Sequence, residues 1–146
     1  VSKRTLSSIV IHCVGSPNGK PTSVSAIRED HIKNRGWGDI GYHFIIQPSG
    51  KVETGRHIDM HGAHCPEMNS TSIGVCLSGT DRFSREQLSS LASLVTQFQI
   101  SKWNVFCHNQ FRSAQKQGKT CPGMRINDVL EWLITGDWKP MEGYLL

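Results

Sequence analysis

Ser8-Ile9-Val10-Ile11-His12-Cys13-Val14 sets three consecutive β-branched residues before an imidazole and a thiol. Such an unbroken apolar run reads as a strand buried at the centre of a sheet. His12 then lies at its C-terminal end, and open α/β sheets bind ligands beyond the carboxyl ends of their strands. The other reading of His12 is a hydrogen-bonded core histidine.

Outward from this strand, Ser16 to Thr22 carries two prolines and Gly19 and reads as a loop. A helix is expected from about Val24 to Asn34, stopped by Gly36. After the break at Gly38-Asp39-Ile40-Gly41, Tyr42 to Gln47 is aromatic and β-branched and reads as a strand. Pro48-Ser49-Gly50 is a turn, and Lys51 to Thr54 is expected to return antiparallel. Arg56 to Ser70 carries three histidines without periodicity, so it reads as a long loop, and long ordered loops are often functional. Ser72 to Leu77 is a further apolar strand, ended by Ser78-Gly79. Ser84 and Gln87 form a capping box, and Leu88, Leu91, Leu94, Val95 and Phe98 follow at helical spacing, giving a helix over Ser84 to Ile100. Asn104 to His108 reads as a short strand and Ile126 to Ile134 as a helix. The expected domain is the whole chain, with a core over 8–135 and a tail over 136–146 whose Trp138, Met141 and Leu145 suit packing on the body.

The chain has 146 residues, the usual size of one domain, and enough for a core without disulfides or a structural metal. A metal here is therefore expected to be catalytic. No apolar run reaches the length of a membrane span. Sixteen basic against twelve acidic residues leave a charge of +4. The basic residues are scattered, so no nucleic-acid stripe is seen. The balance suits an anionic polymer such as a bacterial cell wall, and equally simple solubility. Five cysteines without framework spacing point to a reduced compartment. No signal peptide is visible, although the sequence begins at Val1.

A second chemical stretch runs from His108 to Cys121, with twelve residues between imidazole and thiol and Lys119 two residues before the thiol. Imidazole and thiolate are both good zinc ligands, and His12 is the candidate for a third. Three protein ligands leave one zinc position for water, whose pKa zinc lowers to about 7. Lys119 is the candidate helper at the oxyanion, or else a solvated loop lysine. Side chains alternate along a strand, so Cys13 and Cys107 are expected to face away from any site that His12 and His108 face. Cys76 is expected in the core.

Gly36-Trp37-Gly38-Asp39-Ile40-Gly41-Tyr42-His43-Phe44-Ile45-Ile46, then Gly50 to Arg56, Gly62-Ala63-His64, Asn69, Ser72 to Gly79, His108 and Lys119-Thr120-Cys121-Pro122-Gly123, occur in one order. In these motifs the sequence resembles the zinc-dependent N-acetylmuramoyl-L-alanine amidases of the amidase-2 type, which include small phage amidase lysozymes and peptidoglycan recognition proteins. The resemblance covers about Ile9 to Leu133 and is closest to the small lysozymes of T-odd phages. It implies an α/β fold, a mixed central sheet flanked by helices. It implies one Zn2+ on His12, His108 and Cys121, a tyrosine hydroxyl from Tyr42 near the attacking water, and a lysine, Lys119, that polarises the scissile carbonyl. Trp37, His64 and Asn69 are implied as substrate contacts. His43 is read as structural, and His31, His57 and His61 as surface or groove-rim residues. The sequence departs from some bacterial relatives in one respect: the Ile73–Leu77 strand carries no carboxylate to act as general base.

The implied reaction is hydrolysis of the amide between N-acetylmuramic acid and L-alanine in peptidoglycan, by an endolysin expected to act as a monomer, made in the host cytoplasm and acting on the cell wall. One rival is a protein that holds peptidoglycan without cutting it. The set His12, His108, Cys121, Tyr42 and Lys119 argues against that, since non-catalytic relatives commonly lose the cysteine. The other rival is a second role in binding RNA polymerase, as in some phage relatives, and the shortness of the segment before His12 counts against it.

Overall fold

The computed structural model describes residues 4–146, so the first three residues of the expected domain lie outside the description. Its strands are β1 (Ser8–Cys13), β2 (Phe44–Ile46), β3 (Val52–Thr54), β4 (Ser72–Leu77) and β5 (Val105–Cys107). They form one sheet in the order β3-β2-β4-β1-β5. β1 pairs in parallel with β4 and β5, β2 pairs in parallel with β4, and β3 returns antiparallel at the edge. Every residue of β1 and β4 is buried, as their unbroken apolar character requires of strands covered on both faces. The fold is single-domain α/β with a mixed sheet.

The alternation of side chains divides the core in two. Ile9, Ile11, Ile73, Val75, Leu77, Val105 and Cys107 join the larger cluster, with helices α2 (Arg85–Gln97) and α4 (Ile126–Thr135). Cys76 faces the other way, into a smaller cluster with Ile40, Ile45 and Ile27 of helix α1 (Val24–Lys33). β1 and β4 pair in parallel with His12 opposite Cys76, so His12 shares this second face. α1 starts where the Ser23 hydroxyl accepts the Ala26 N–H, and α2 starts at the reciprocal Ser84/Gln87 box. α4 stops at Gly136, whose φ of 73° is the left-handed geometry that glycine takes without a Cβ clash.

Three local differences from the sequence reading bear on the site. Tyr42 and His43 precede β2 instead of starting it: the His43 Nδ1 accepts the Gly74 N–H at 3.0 Å, and regular pairing with β4 begins at Phe44. His108 opens a 3-10 turn (His108–Gln110) just past β5, where the Gln110 side chain accepts the Cys107 N–H at 2.8 Å and curls the chain. Between His108 and Cys121 lies a short helix, α3 (Arg112–Lys116), which has no apolar period to announce it. The last residues form a 3-10 segment, Lys139–Tyr144, with Met141 fully buried and Trp138 against Trp132 at 5.0 Å between rings. Phe83 fixes the end of the chain by donating to the Tyr144 carbonyl and accepting from the Leu146 N–H.

Candidate active site

His12, at the end of β1, and His108, just past β5, arrive side by side because the two strands are parallel neighbours. Their rings lie 4.3 Å apart. Cys121 is brought to them by Asn109, whose N–H donates to the Cys121 carbonyl at 2.9 Å. The Asn109 amide also donates to the Thr120 and Met124 carbonyls on either side. The Cys121 Sγ sits 3.5 Å from His108 Nδ1 and 3.9 Å from His12 Nδ1. One ligand atom from each of the three residues falls within 4.8 Å of the others, so they form a possible metal-binding site.

Their protonation suits that use. Burial pushes the His12 imidazole down to about 4, leaving it neutral at ordinary pH with a lone pair to give. Hydrogen bonding from the Cys13 thiol, then from His108, holds the Cys121 thiol far below its usual range against the opposing effect of burial. The other thiols go the opposite way: burial pushes Cys107 up to about 12, and Cys76 well above its ordinary value. Cys76 and Cys107 are core residues. Cys13 packs in the core as alternation requires, but at the last position of β1 it also reaches the cavity wall beside Cys121.

The three residues face an open cavity of about 640 Å³, whose walls include Tyr42, Trp37, Arg35, His31, Lys119 and His64. Asn69 lines it too. The Tyr42 ring stands 5.1 Å from that of His12, and burial raises its hydroxyl well above the usual range, so it stays a proton donor. Lys119 is exposed in the cavity wall, on a loop pinned by its own N–H to the Ala114 carbonyl. Trp37 packs edge-on to His31, with the Arg35 guanidinium over its ring. Asn69 accepts the N–H groups of His64 and Cys65, so it shapes the 56–70 loop as well as the cavity. The lining contains no carboxylate.

One histidine lies elsewhere than the sequence suggested, and another, while lining the cavity, makes a contact that the sequence did not show. His31 is buried under the cavity, not on its rim, because its Nδ1 accepts the Gly41 N–H and its ring fills the space between Trp37 and Tyr42. His64 is buried directly behind His12, with its Nδ1 2.9 Å from His12 Nε2. No spacing rule links positions 52 residues apart. The one trace of the contact is Gly74, a glycine inside an otherwise apolar strand, which marks a close approach. His43 is buried and structural, while His57 and His61 are exposed.

A mixed sheet carrying a His/His/Cys cluster and a cavity beyond its carboxyl ends defines an α/β protein with a hydrolase-type site. The family described as N-acetylmuramoyl-L-alanine amidase matches residues 2–124, and the chain belongs to it. An endolysin of Klebsiella phage KP32 is 38% identical over 92% of this chain and 93% of its own length. The solved structure of the N-acetylmuramoyl-L-alanine amidase LysC from Clostridium intestinale URNW superposes with a TM-score of 0.74 at 26% identity, covering 90% of this chain and 87% of that one. A Drosophila PGRP-LB mutant in complex with tracheal cytotoxin gives a TM-score of 0.75 at 26% identity, over 89% and 83% of the two chains. The chain is thus an N-acetylmuramoyl-L-alanine amidase, which hydrolyses the amide joining N-acetylmuramic acid to L-alanine.

Proposed function

We propose that the enzyme is a zinc amidase of the endolysin kind, cutting the stem peptide from peptidoglycan with the residues of this cavity. The observation that carries the reading is the convergence of His12, His108 and Cys121 within 4.8 Å on a cavity that holds Tyr42 and Lys119 and no carboxylate. Two imidazoles and one thiolate are a zinc donor set, and bonds of about 2.0–2.3 Å to one ion need separations of this order. Zinc held there supplies Lewis-acid polarisation of the carbonyl and acidifies water.

The protein's own groups do the rest. Tyr42, held protonated by burial and with its ring beside His12, has a hydroxyl proton that it would give to the attacking water or the carbonyl oxygen. Lys119 brings a positive charge to the cavity wall, where it would stabilise the charge that develops on that oxygen. Trp37, His64 and Asn69 help shape the cavity wall, and with Arg35 and Lys119 its charge suits an anionic stem peptide. Manufacture in a host cytoplasm followed by attack on the wall is supported by the phage endolysin relative. No helix of the described residues is long and apolar enough to cross a membrane.

Metal analysis of the purified protein tests the donor set. About one zinc per chain is expected, with large losses in Cys121→Ser and His108→Ala, because a serine hydroxyl is a poor zinc ligand at neutral pH. Full zinc occupancy in both variants would remove the assignment.

A further inference from the structure

His12 offers its Nδ1 to the cluster and its Nε2 to the protein behind it. That rear nitrogen meets His64 Nδ1 at 2.9 Å, and His64 Nε2 lies 3.3 Å from the Ser72 hydroxyl. The Ser72 Oγ in turn is 2.7 Å from the Met68 carbonyl. A carbonyl only accepts, so the short Ser72–Met68 contact takes the single hydroxyl proton. The Ser72 oxygen must then accept from His64, which places the His64 proton on Nε2 and leaves its Nδ1 bare. A bare Nδ1 accepts from His12, which places the His12 proton on Nε2 and frees the Nδ1 lone pair toward Cys121 and His108.

The space for this chain is built into the fold. Ser72, Gly74 and Cys76 follow one another on the face of β4 that His12 shares. The His64 ring occupies the gap left by the missing side chain of Gly74: a Cβ there would stand 2.6 Å from its Cδ2. On the other side a Cβ on Gly62 would stand 2.4 Å from the same atom. Neither glycine has a positive φ, so their service is room for the ring and not backbone freedom. The residue is 8% exposed, and the Asn69 side chain holds its backbone N–H.

We propose that His64 is a positioning residue that, with Ser72 and the Met68 carbonyl, fixes the tautomer and the ring orientation of His12 as a zinc ligand. The proposal rests on the zinc reading given above. Hydrogen-bonded groups behind a metal-bound histidine typically change metal affinity by about 10–100-fold when lost. As a plain core filler, His64 would be replaceable by any side chain of its shape.

The test compares zinc affinity by chelator competition in the wild type, His64→Leu, His64→Asn and Ser72→Ala, each checked for a cooperative unfolding transition. Leucine fills the slot without an acceptor, whereas the asparagine oxygen falls near the place of Nδ1. His64→Leu is expected to bind zinc about 10–100-fold more weakly. His64→Asn is expected to recover most of the affinity, and Ser72→Ala to lose less than His64→Leu. Should the leucine variant not fold, the asparagine and Ser72 variants carry the comparison. Nitrogen-15 spectra of the histidines in the metal-free protein give the second readout, with His64 expected as the Nε2–H form. Wild-type affinity in His64→Leu, or a His64 proton on Nδ1, overturns the proposal. A wild-type protein that takes no zinc overturns the metal reading instead, and the spectra still decide the proton order.

Discussion

Cys121 differs from the other cysteines in what surrounds it. Its thiol is held down by hydrogen bonding from Cys13 and His108, while burial dominates at Cys76 and Cys107 and drives them up. In the sequence, residue type and spacing made His12, His108 and Cys121 candidates only, because histidine and cysteine at such separations are common; the run of motifs around them is what marked them as a ligand set. The contact of His64 with His12 was not legible, because it depends on room left by Gly62 and Gly74. A methyl group at position 74 must displace the His64 ring or the strand. Gly74→Ala is accordingly expected to cost about 1–3 kcal/mol of stability as an overpacked site, read from urea unfolding. A variant as stable as wild type would mean the slot is not tight. Lys119 is exposed, so Lys119→Ala should leave fold and metal content alone. If the lysine stabilises the oxyanion, turnover should drop about a hundredfold to a thousandfold. Unchanged turnover on purified wall would make Lys119 a solvated loop residue.

Among the elements, the long periodic ones were readable. The Ser84/Gln87 capping box and the leucines after it announced α2, and the unbroken apolar runs announced β1 and β4. The short ones were not: α3 and the 3-10 turn at His108 are shaped by individual hydrogen bonds, such as that of Gln110 to the Cys107 N–H, which leave no period. The same limit explains β2, where the His43 side chain takes the Gly74 N–H and the regular strand shortens. The C-terminal segment is a structural element in its own right. Met141 is fully buried in the larger core cluster, and Tyr144 donates from its hydroxyl to Asp128 in α4. Met141→Ala is expected to cost about 2–5 kcal/mol through the cavity it leaves. Denaturant titration reads this directly, and a loss below about 1 kcal/mol would show that the segment contributes little to the core.

Taken whole, the molecule buries several neutral imidazoles, and this sets its response to acid. Burial pushes His12 and His43 down to about 4, and His64 lower still. The same side chains titrate near 6.5 in the unfolded chain. Between those values the unfolded state binds more protons than the native one, so stability rises with pH there and is lost as pH falls. The metal-free protein is expected to lose stability progressively from about pH 6.5 toward about pH 4, seen as a falling urea midpoint. A flat midpoint across that range would mean the imidazoles are not buried neutral. The molecule as a whole also chooses one bond. Glycan cleavage uses two carboxylates about 5–10 Å apart around a sugar ring, and this cavity is lined by imidazole, thiol, tyrosine and lysine with no carboxylate. The most direct measurement is digestion of purified peptidoglycan with both products counted. New amino termini should appear on L-alanine in step with the loss of turbidity, reducing sugar ends should not rise, phenanthroline should stop the release and added zinc should restore it. New reducing ends without new alanine amines would contradict the assigned bond and the chemistry proposed for it.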